Sequence, residues 1–248
     1  MAVIEEPIEF KTADGLVDGF LYVHNDGKPR PGIIHLQDIM GIRDPVRGMA
    51  KRLAESGYTV LLPNEFYRTG RPPLFDFPLE FGSERTMKRF QELTGPMTPE
   101  AQQRDADAYV NFLVGQPSVA KGKIGVVGYC FTGAIAMRMA AARSDKIAAA
   151  ASFHGGGLYS DAPTSPHRLL PQIKSQLYFG HAVQDRSMSA EQIQSLEAEL
   201  RKWGGTFESD TYEGALHGWT VPGGQIYNHD QAEVAFKKLT GVMSAALN

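Results

Sequence analysis

Short apolar runs alternate with amphipathic helical segments along most of this chain, and that alternation is what most constrains its fold. The runs that predict buried strands are 32–36, 58–62, 123–127, 148–153, 176–180 and 206–211. Between them, apolar residues follow helical spacing, most clearly over 44–56, 132–142 and 189–203. Strands that alternate with helices predict a mostly parallel sheet covered by helices on both faces.

The two ends of the chain complete this pattern. Alternating stretches at 7–11 and 17–23 flank a turn that contains Asp14-Gly15, which predicts an antiparallel hairpin at the sheet edge. A last amphipathic segment at 229–246 predicts a closing helix. We therefore expect one α/β domain over 1–248.

One segment does not follow the alternation of strands and helices. Residues 64–98 are rich in Pro, Phe and Arg and show weak periodicity, so we expect a loop-rich excursion over the sheet. Thr98-Pro99 then begins a helix with proline in its first turn. In a mostly parallel sheet, the active site lies beyond the carboxyl ends of the strands, and this excursion would cover it.

Composition narrows the function classes. The 248 residues carry a formal net charge of -3, which gives no basic face for nucleic acid. No apolar run approaches the roughly 20 residues that span a membrane, and the N-terminus lacks a secretory signal. A single cysteine cannot form an internal disulfide. We expect a cytoplasmic protein, a monomer or weak homodimer, with a small-molecule partner and no nucleic-acid or membrane partner.

The single cysteine lies in the most informative stretch, GVVGYCFTG at 125–133. A strand, a tight turn and a helix around Cys130 match the layout of a nucleophile elbow, where Gly128 allows close backbone approach. The following helix directs its N-terminal N–H groups at the thiol, and the Phe131 N–H is a natural oxyanion donor. Thr132 stands where such turns usually have a second glycine. The turn alone leaves an inert buried cysteine equally open.

Two later residues favour the nucleophile. In such folds the order along the chain is nucleophile, acid, histidine. Asp185 follows the strand at 176–180, and His217 follows the strand at 206–211 beside a glycine. The aspartate would orient the imidazole, which would activate the thiol. The alternatives are His35, His154 and His181 for the base, and Asp161 and Asp210 for the acid.

The loop after the first parallel strand supplies two further candidates. Residues 37–41 read QDIMG, and this loop provides the second oxyanion N–H in the predicted fold, here that of Ile39. Asp38 would then lie near the thiol and disfavour a resting thiolate. The alternative is that Asp38 caps the following helix, a position for which Asp44 competes. No metal-ligand spacing or dinucleotide fingerprint is present, so we expect no metal and no cofactor.

These residues together resemble the dienelactone hydrolase (carboxymethylenebutenolidase) family. The resemblance covers the loop at 36–42, the cysteine turn, the GHAVQD stretch at 180–185 and the YEGALHGW stretch at 212–219. It implies an α/β-hydrolase fold, a Cys130–His217–Asp185 triad and cleavage of an enol-lactone or a similar activated ester. In the family a glutamate at the position of Asp38 contacts the resting thiol and helps to trigger it.

The resemblance weakens where the family recognises a substrate carboxylate. One family arginine lies four residues after the catalytic histidine, where this chain has Val221. Arg85 and Arg89 lie in the right region for the other arginine, and a less acidic substrate is expected. Trp219 is a candidate for lining a substrate pocket or for packing in the core. The same two alternatives hold for four aromatic residues of the excursion, Phe66, Tyr67, Phe75 and Phe77.

Related activities and other classes stay open at this point. A thioesterase or a promiscuous aryl- or phosphate-ester hydrolase would share the triad. A non-enzymatic binding protein is disfavoured because all three triad positions are filled. A thiol redox protein would lack a resolving cysteine within the chain.

Overall fold

The computed structural model describes residues 2–247, and these residues form one eight-stranded sheet in the order β1-β2-β4-β3-β5-β6-β7-β8. The strands are β1 Val3–Thr12, β2 Gly15–His24, β3 Gly32–His35, β4 Thr59–Pro63, β5 Ile124–Tyr129, β6 Ile147–Phe153, β7 Gln176–Ala182 and β8 Phe207–Tyr212. The first two form the predicted hairpin, and β2 pairs antiparallel with β4. All other pairings are parallel. The predicted fold class is confirmed.

Six α-helices cover the two faces of the sheet within residues 2–247. They are α1 Asp44–Glu55, α2 Glu84–Thr94, α3 Pro99–Val114, α4 Thr132–Ala142, α5 Ala190–Trp203 and α6 His229–Leu247. The helices α3, α4 and α5 enclose one apolar core, while α1 and α6 enclose the other. Parallel strands buried on both faces explain why the central strands are almost continuously apolar.

Local signals place the boundaries of two helices. Ser189 and Gln192 form the predicted capping box of α5, and Gly204 ends that helix in the left-handed conformation. The Thr98 side chain caps α3. No helix within residues 2–247 is both long and apolar enough to cross a membrane.

The excursion is more regular than expected. Residues 84–94 form helix α2, whose N-terminus is capped by the Ser83 side chain. Only Thr86 and Leu93 of this helix are buried, so its sequence carries little apolar periodicity. A 3₁₀ helix at Pro166–Gln172 also lacked a sequence signal. The excursion expected to be loop-rich at 64–98 therefore contains one helix, over Glu84–Thr94.

Five adjacent strands bring the candidate residues to one edge. The strands β3, β5, β6, β7 and β8 are parallel neighbours. The loops that follow them therefore meet beyond the same carboxyl-terminal edge of the sheet.

Candidate active site

The turn after β5 has the strained geometry of a nucleophile elbow. Cys130 adopts a φ of 58°, in the region that L-residues rarely occupy. A Cβ atom on Gly128 would collide with the Thr132 carbonyl, so only glycine fits there. The Thr132 hydroxyl bridges the Tyr129 N–H and C=O, each at 2.8 Å. Threonine is therefore accommodated in the turn and also braces it.

Cys130, His217 and Asp185 form a continuous chain of contacts. The Cys130 Sγ lies 3.1 Å from His217 Nε2, and His217 Nδ1 lies 2.7 Å from Asp185 Oδ2. Cys130 follows β5 directly, whereas the other two lie in the loops after β7 and β8. Residues 87 positions apart thus come into contact because their strands end at one edge.

Ser187 was not singled out from the sequence, yet it holds the carboxylate of Asp185. Its N–H and its hydroxyl donate to Asp185 Oδ1 at 2.8 and 2.6 Å, and the hydroxyl also lies 3.0 Å from His217 Nδ1. The Asp-x-Ser spacing was the available signal, because an aspartate often accepts from the backbone two residues later. With Oδ1 held by Ser187, Oδ2 is directed at the histidine.

Electrostatics favour a proton on His217. Burial alone would lower the pKa of His217, but hydrogen bonds to Asp185 and Cys130 and the charges of both raise it to about 10. Burial likewise opposes ionisation of Asp185, yet hydrogen bonds from His217 and Ser187 lower its pKa. The arrangement therefore supports an imidazolium hydrogen-bonded to the Asp185 carboxylate.

The described structure shows no hydrogen bond from an alternative histidine to the Cys130 thiol, although His154 lines the cleft. His35 and His181 are buried at strand ends, and burial lowers the pKa of each to about 4. His154 is buried beside the elbow, where its Nδ1 accepts the Cys130 N–H at 3.0 Å. The alternative acid Asp210 contacts the Tyr178 hydroxyl and Lys238.

Two backbone N–H groups are available for an oxyanion. Neither the Ile39 N–H nor the Phe131 N–H donates to an acceptor within residues 2–247. The Cys130 N–H, in contrast, is taken up by the Phe153 carbonyl at 3.1 Å and by His154. The two free donors belong to the two loops that flank the thiol.

A cleft of about 650 Å³ opens above Cys130 and His217. Its apolar lining is Ile39, Met40, Pro45, Phe81, Val221, Pro222 and Ile226. Asp38 and Arg43 are the acidic and the basic residue that line it within the described chain. They form a bidentate ion pair with two contacts of 2.7 Å. Apart from His217, the lining is thus mainly apolar, and the opposite charges of Asp38 and Arg43 neutralise each other.

Asp38 lines the same cleft as Cys130 but is held by other partners. Besides Arg43, its carboxylate accepts the Met40 N–H at 2.9 Å, and no hydrogen bond joins it to Cys130 within residues 2–247. It does not cap α1 either, because the N-cap residue there is Arg43. Sequence reasoning missed Arg43, although a cation five residues from Asp38 was visible. Both carboxylate oxygens of Asp38 are held by this guanidinium, so its predicted effect on the thiol stays a prediction.

The predicted substrate-binding residues lie outside the cleft. Arg85 pairs with Asp76, and Arg89 binds Glu92 and the Leu74 carbonyl in a separate hollow. Trp219 is fully buried, with its ring 5.2 Å from that of His154. The aromatic residues Phe66, Tyr67, Phe75 and Phe77 also do not line the cleft, where Phe81 stands instead. Apolar packing accounts for Trp219 and Phe66, which is stacked on Phe131.

No three His, Cys, Asp or Glu side chains converge as metal ligands in the described part of the chain.

Comparison with known proteins identifies the family. The model of the dienelactone hydrolase family matches residues 17–247 of this chain. The chain belongs to the dienelactone hydrolase family. It is therefore a hydrolase, and the resemblance inferred from its motifs is confirmed.

Relatives and solved structures agree with this assignment. The carboxymethylenebutenolidase of Pseudomonas putida is 27% identical over 188 residues, which cover 76% of this chain and 75% of that protein. That of Rhodococcus opacus is 26% identical over 199 residues, 80% and 73% of the two chains. A dienelactone hydrolase-like promiscuous phosphotriesterase from metagenomic libraries superposes with a TM-score of 0.81 at 20% identity over the full length of both chains.

Proposed function

We propose that this member of the family hydrolyses neutral, activated esters or lactones through a thioester on Cys130. The observation that carries the proposal is the contact chain from Cys130 Sγ through His217 to Asp185. An ordinary thiol is only a few per cent ionised at pH 7, so a nucleophilic cysteine needs such a partner. The other features supply the oxyanion donors and the substrate cleft.

The first half of the reaction forms the thioester. The Cys130 thiolate attacks the carbonyl carbon, and the carbonyl electron pair moves to an oxyanion held by the Ile39 and Phe131 N–H groups. Such donors are worth about 3 kcal/mol each when they are aimed at a developing oxyanion. Collapse of this intermediate expels the alkoxide or enolate, which takes the proton from the His217 imidazolium. For a lactone, the leaving oxygen stays attached to the acyl chain.

The second half needs His217 as a base. Part of the rise in its pKa comes from the hydrogen bond and the charge of Cys130. Acylation removes that charge, so the pKa of His217 falls when a base is required. The neutral imidazole then takes a proton from water, hydroxide attacks the thioester, and the carboxylic acid leaves as the thiolate is restored. Asp185 keeps the imidazole in one orientation throughout.

The cleft favours substrates without a carboxylate. Arg43 is fully paired with Asp38, and Val221 presents only an aliphatic side chain. Exposed Phe81 and Ile226 extend the apolar surface at the cleft. An anionic acyl group would lose hydration there without gaining an unpaired cation. We therefore assign neutral, apolar acyl groups as the substrate class.

The decisive experiment compares wild type with Cys130→Ala on p-nitrophenyl acetate. We expect the variant to lose more than about 10³-fold in kcat, on the scale found when a nucleophile is removed. Intact-protein mass spectrometry of quenched wild type should show one added acetyl group, absent from Cys130→Ala. Equal turnover by the two proteins would eliminate the cysteine mechanism. Cys130→Ser should also lose most activity, because an environment suited to a thiolate does not ionise a hydroxyl.

A neutral phosphotriester is a second candidate substrate. The structural neighbour named a promiscuous phosphotriesterase shares the fold, and an uncharged triester meets the same requirement for an apolar, neutral cleft. Hydrolysis of paraoxon by wild type and not by Cys130→Ala would extend the substrate class to phosphorus. No release of p-nitrophenol above background would confine the enzyme to carbonyl substrates.

A further inference from the structure

His154 is a buried histidine beside the Cys130 turn, and it is not part of the contact chain from Cys130 through His217 to Asp185. It directly follows β6, is 1% exposed and adopts a φ of 40°. Non-glycine residues rarely hold a positive φ unless their surroundings over-determine it. Here the His154 N–H donates to the Gly180 carbonyl at 2.7 Å, which ties its backbone to the end of β7.

The imidazole of His154 faces the main chain of the nucleophile. Its Nδ1 lies 3.0 Å from the Cys130 N–H, which also donates to the Phe153 carbonyl. A backbone N–H can only donate, so Nδ1 must be the unprotonated nitrogen. The Cys130 φ of 58° is thus held by an acceptor that the next strand supplies.

The other ring nitrogen reaches the loop of the catalytic histidine. In a neutral imidazole with a bare Nδ1, Nε2 carries the proton and donates to Thr220 Oγ1 at 2.8 Å. Thr220 lies three residues after His217 in the same loop. One buried ring therefore connects the cysteine turn to the loop that carries its base.

A protonated ring could not fill this place. A proton on Nδ1 would face the Cys130 N–H with a second donor, and the charge would lie beside His217, whose ring centroid is 5.1 Å away. Burial, together with the charge of His217, lowers the pKa of His154 to about 3. The ring therefore stays neutral over the whole range in which the triad works.

We propose that His154 is a positioning residue that uses a neutral imidazole to fix the Cys130 turn relative to the His217 loop. The inference rests on the proposed role of Cys130 as nucleophile. It gives a physical reason for a histidine at this buried position, because both ring nitrogens are used. Loss of the His154 imidazole should misalign the Cys130 thiol and the His217 imidazole and so lower kcat. A displacement of about 1 Å at reacting groups can lower the rate about 10²-fold.

The test uses a pair of substitutions at this position. His154→Leu removes both hydrogen bonds, whereas His154→Asn keeps an acceptor where Nδ1 stands and tolerates a positive φ. We expect His154→Leu to lose about 10²-fold in kcat with little change in KM. We expect His154→Asn to recover most of that loss.

Alkylation of the thiol separates positioning from a structural effect. The rate of reaction of Cys130 with iodoacetamide is measured across pH without substrate, beside a His217→Asn reference that lacks the imidazole partner. His154→Leu should move the profile toward that reference, and His154→Asn should move it back. His35→Leu is the matched control, because His35 is equally buried and its ring nitrogens have no partners within residues 2–247. That control should lower the unfolding midpoint at most and leave the profile in place.

Thr220→Val keeps the proposal testable even if His154→Leu fails to fold. It should lower kcat about fivefold, as expected for one lost neutral hydrogen bond. A wild-type alkylation profile in His154→Leu, an Asn variant as impaired as Leu, or a fully active Thr220→Val would each overturn the proposal. Because alkylation needs no turnover, a failure of the proposed hydrolysis, seen as an active Cys130→Ala, is distinguishable from a failure of this inference.

Discussion

Two aspartates stand in equivalent places on the sheet and have opposite surroundings. Asp38 lies three residues after β3 and Asp185 three residues after β7, and both are buried at the edge where the cleft opens. Asp185 gives one oxygen to Ser187 and the other to His217. Asp38 gives both oxygens to Arg43. The end of a strand places each carboxylate beside the cleft. Its hydrogen-bond partner then determines whether the carboxylate orients the histidine or only neutralises a cation.

The comparison is tested most strongly at Asp185. Asp185→Asn removes the charge that stabilises the imidazolium and permits the wrong tautomer of His217, so we expect kcat to fall by about 10³- to 10⁴-fold on p-nitrophenyl acetate. Steady-state kinetics measure this, with circular dichroism to verify the fold. A loss below tenfold would mean that the two aspartates differ less than their contacts indicate.

Ser187 offers a smaller test of the same region. Ser187→Ala removes the hydroxyl that donates to Asp185 Oδ1 while the backbone N–H remains. Hydrogen bonds to charged groups contribute about 1.5–3 kcal/mol, so we expect kcat to fall by about 10- to 10²-fold. Ser189→Ala is the control two residues away, because Ser189 caps α5 and touches no triad residue. It should lower the free energy of unfolding by about 1 kcal/mol and leave kcat unchanged.

At Asp38 the expected change is in specificity. Asp38→Asn leaves Arg43 with an unpaired charge in the cleft, so kcat/KM for p-nitrophenyl hemisuccinate should rise about fivefold relative to p-nitrophenyl acetate. The two esters share a leaving group and differ in a terminal carboxylate. The double variant Asp38→Asn, Arg43→Gln is the control and should lose the gain. An unchanged ratio in Asp38→Asn would show that Arg43 does not reach the bound substrate.

The sequence predicted the fold and the meeting of distant loops because both follow from local patterns. Apolar runs and helical spacing predicted the parallel sheet, and strand ends then predicted which loops share an edge. Cys130, Asp185 and His217 lie together for that reason, and their roles remain the proposal made above. Gly128 and Thr132 were recognisable because a sharp turn restricts side-chain size locally.

What the sequence could not provide was the choice of partner. Asp38 and Arg43 are five residues apart, but whether the carboxylate turns to the guanidinium or to the thiol depends on how the loop closes. Trp219 lies two residues after His217, yet its ring enters the core, because a tight loop sends neighbouring side chains in different directions. His154 looked like a rival base until the position of the Cys130 N–H was known. Such directions are set by tertiary packing, which residue spacing does not encode.

A third strand-end carboxylate, with neither kind of partner, extends the comparison. Glu65 lies two residues after β4, is 1% exposed, and its Oε1 has no hydrogen-bond partner within residues 2–247. Burial raises its pKa well above 4.5, the negative charge of Asp105 adds to this, and Arg68 only partly opposes it. Unlike Asp38 and Asp185, Glu65 is therefore held toward its neutral form.

Glu65→Gln should separate stability from catalysis. A carboxyl group whose pKa is raised by folding contributes stability that is present below its unfolded value, near 4.5, and is lost as the pH rises through the folded pKa. A glutamine does not titrate, so the variant should match wild type near pH 4 and be more stable at pH 8, by on the order of 1 kcal/mol. Urea unfolding at both pH values measures this, with exposed Glu6→Gln as control. Glu65 does not line the cleft, so kcat should stay constant. Equal stability of variant and wild type at both pH values would mean that Glu65 has a compensating partner. Asp38, which is paired with Arg43, would then be the remaining contrast with Asp185.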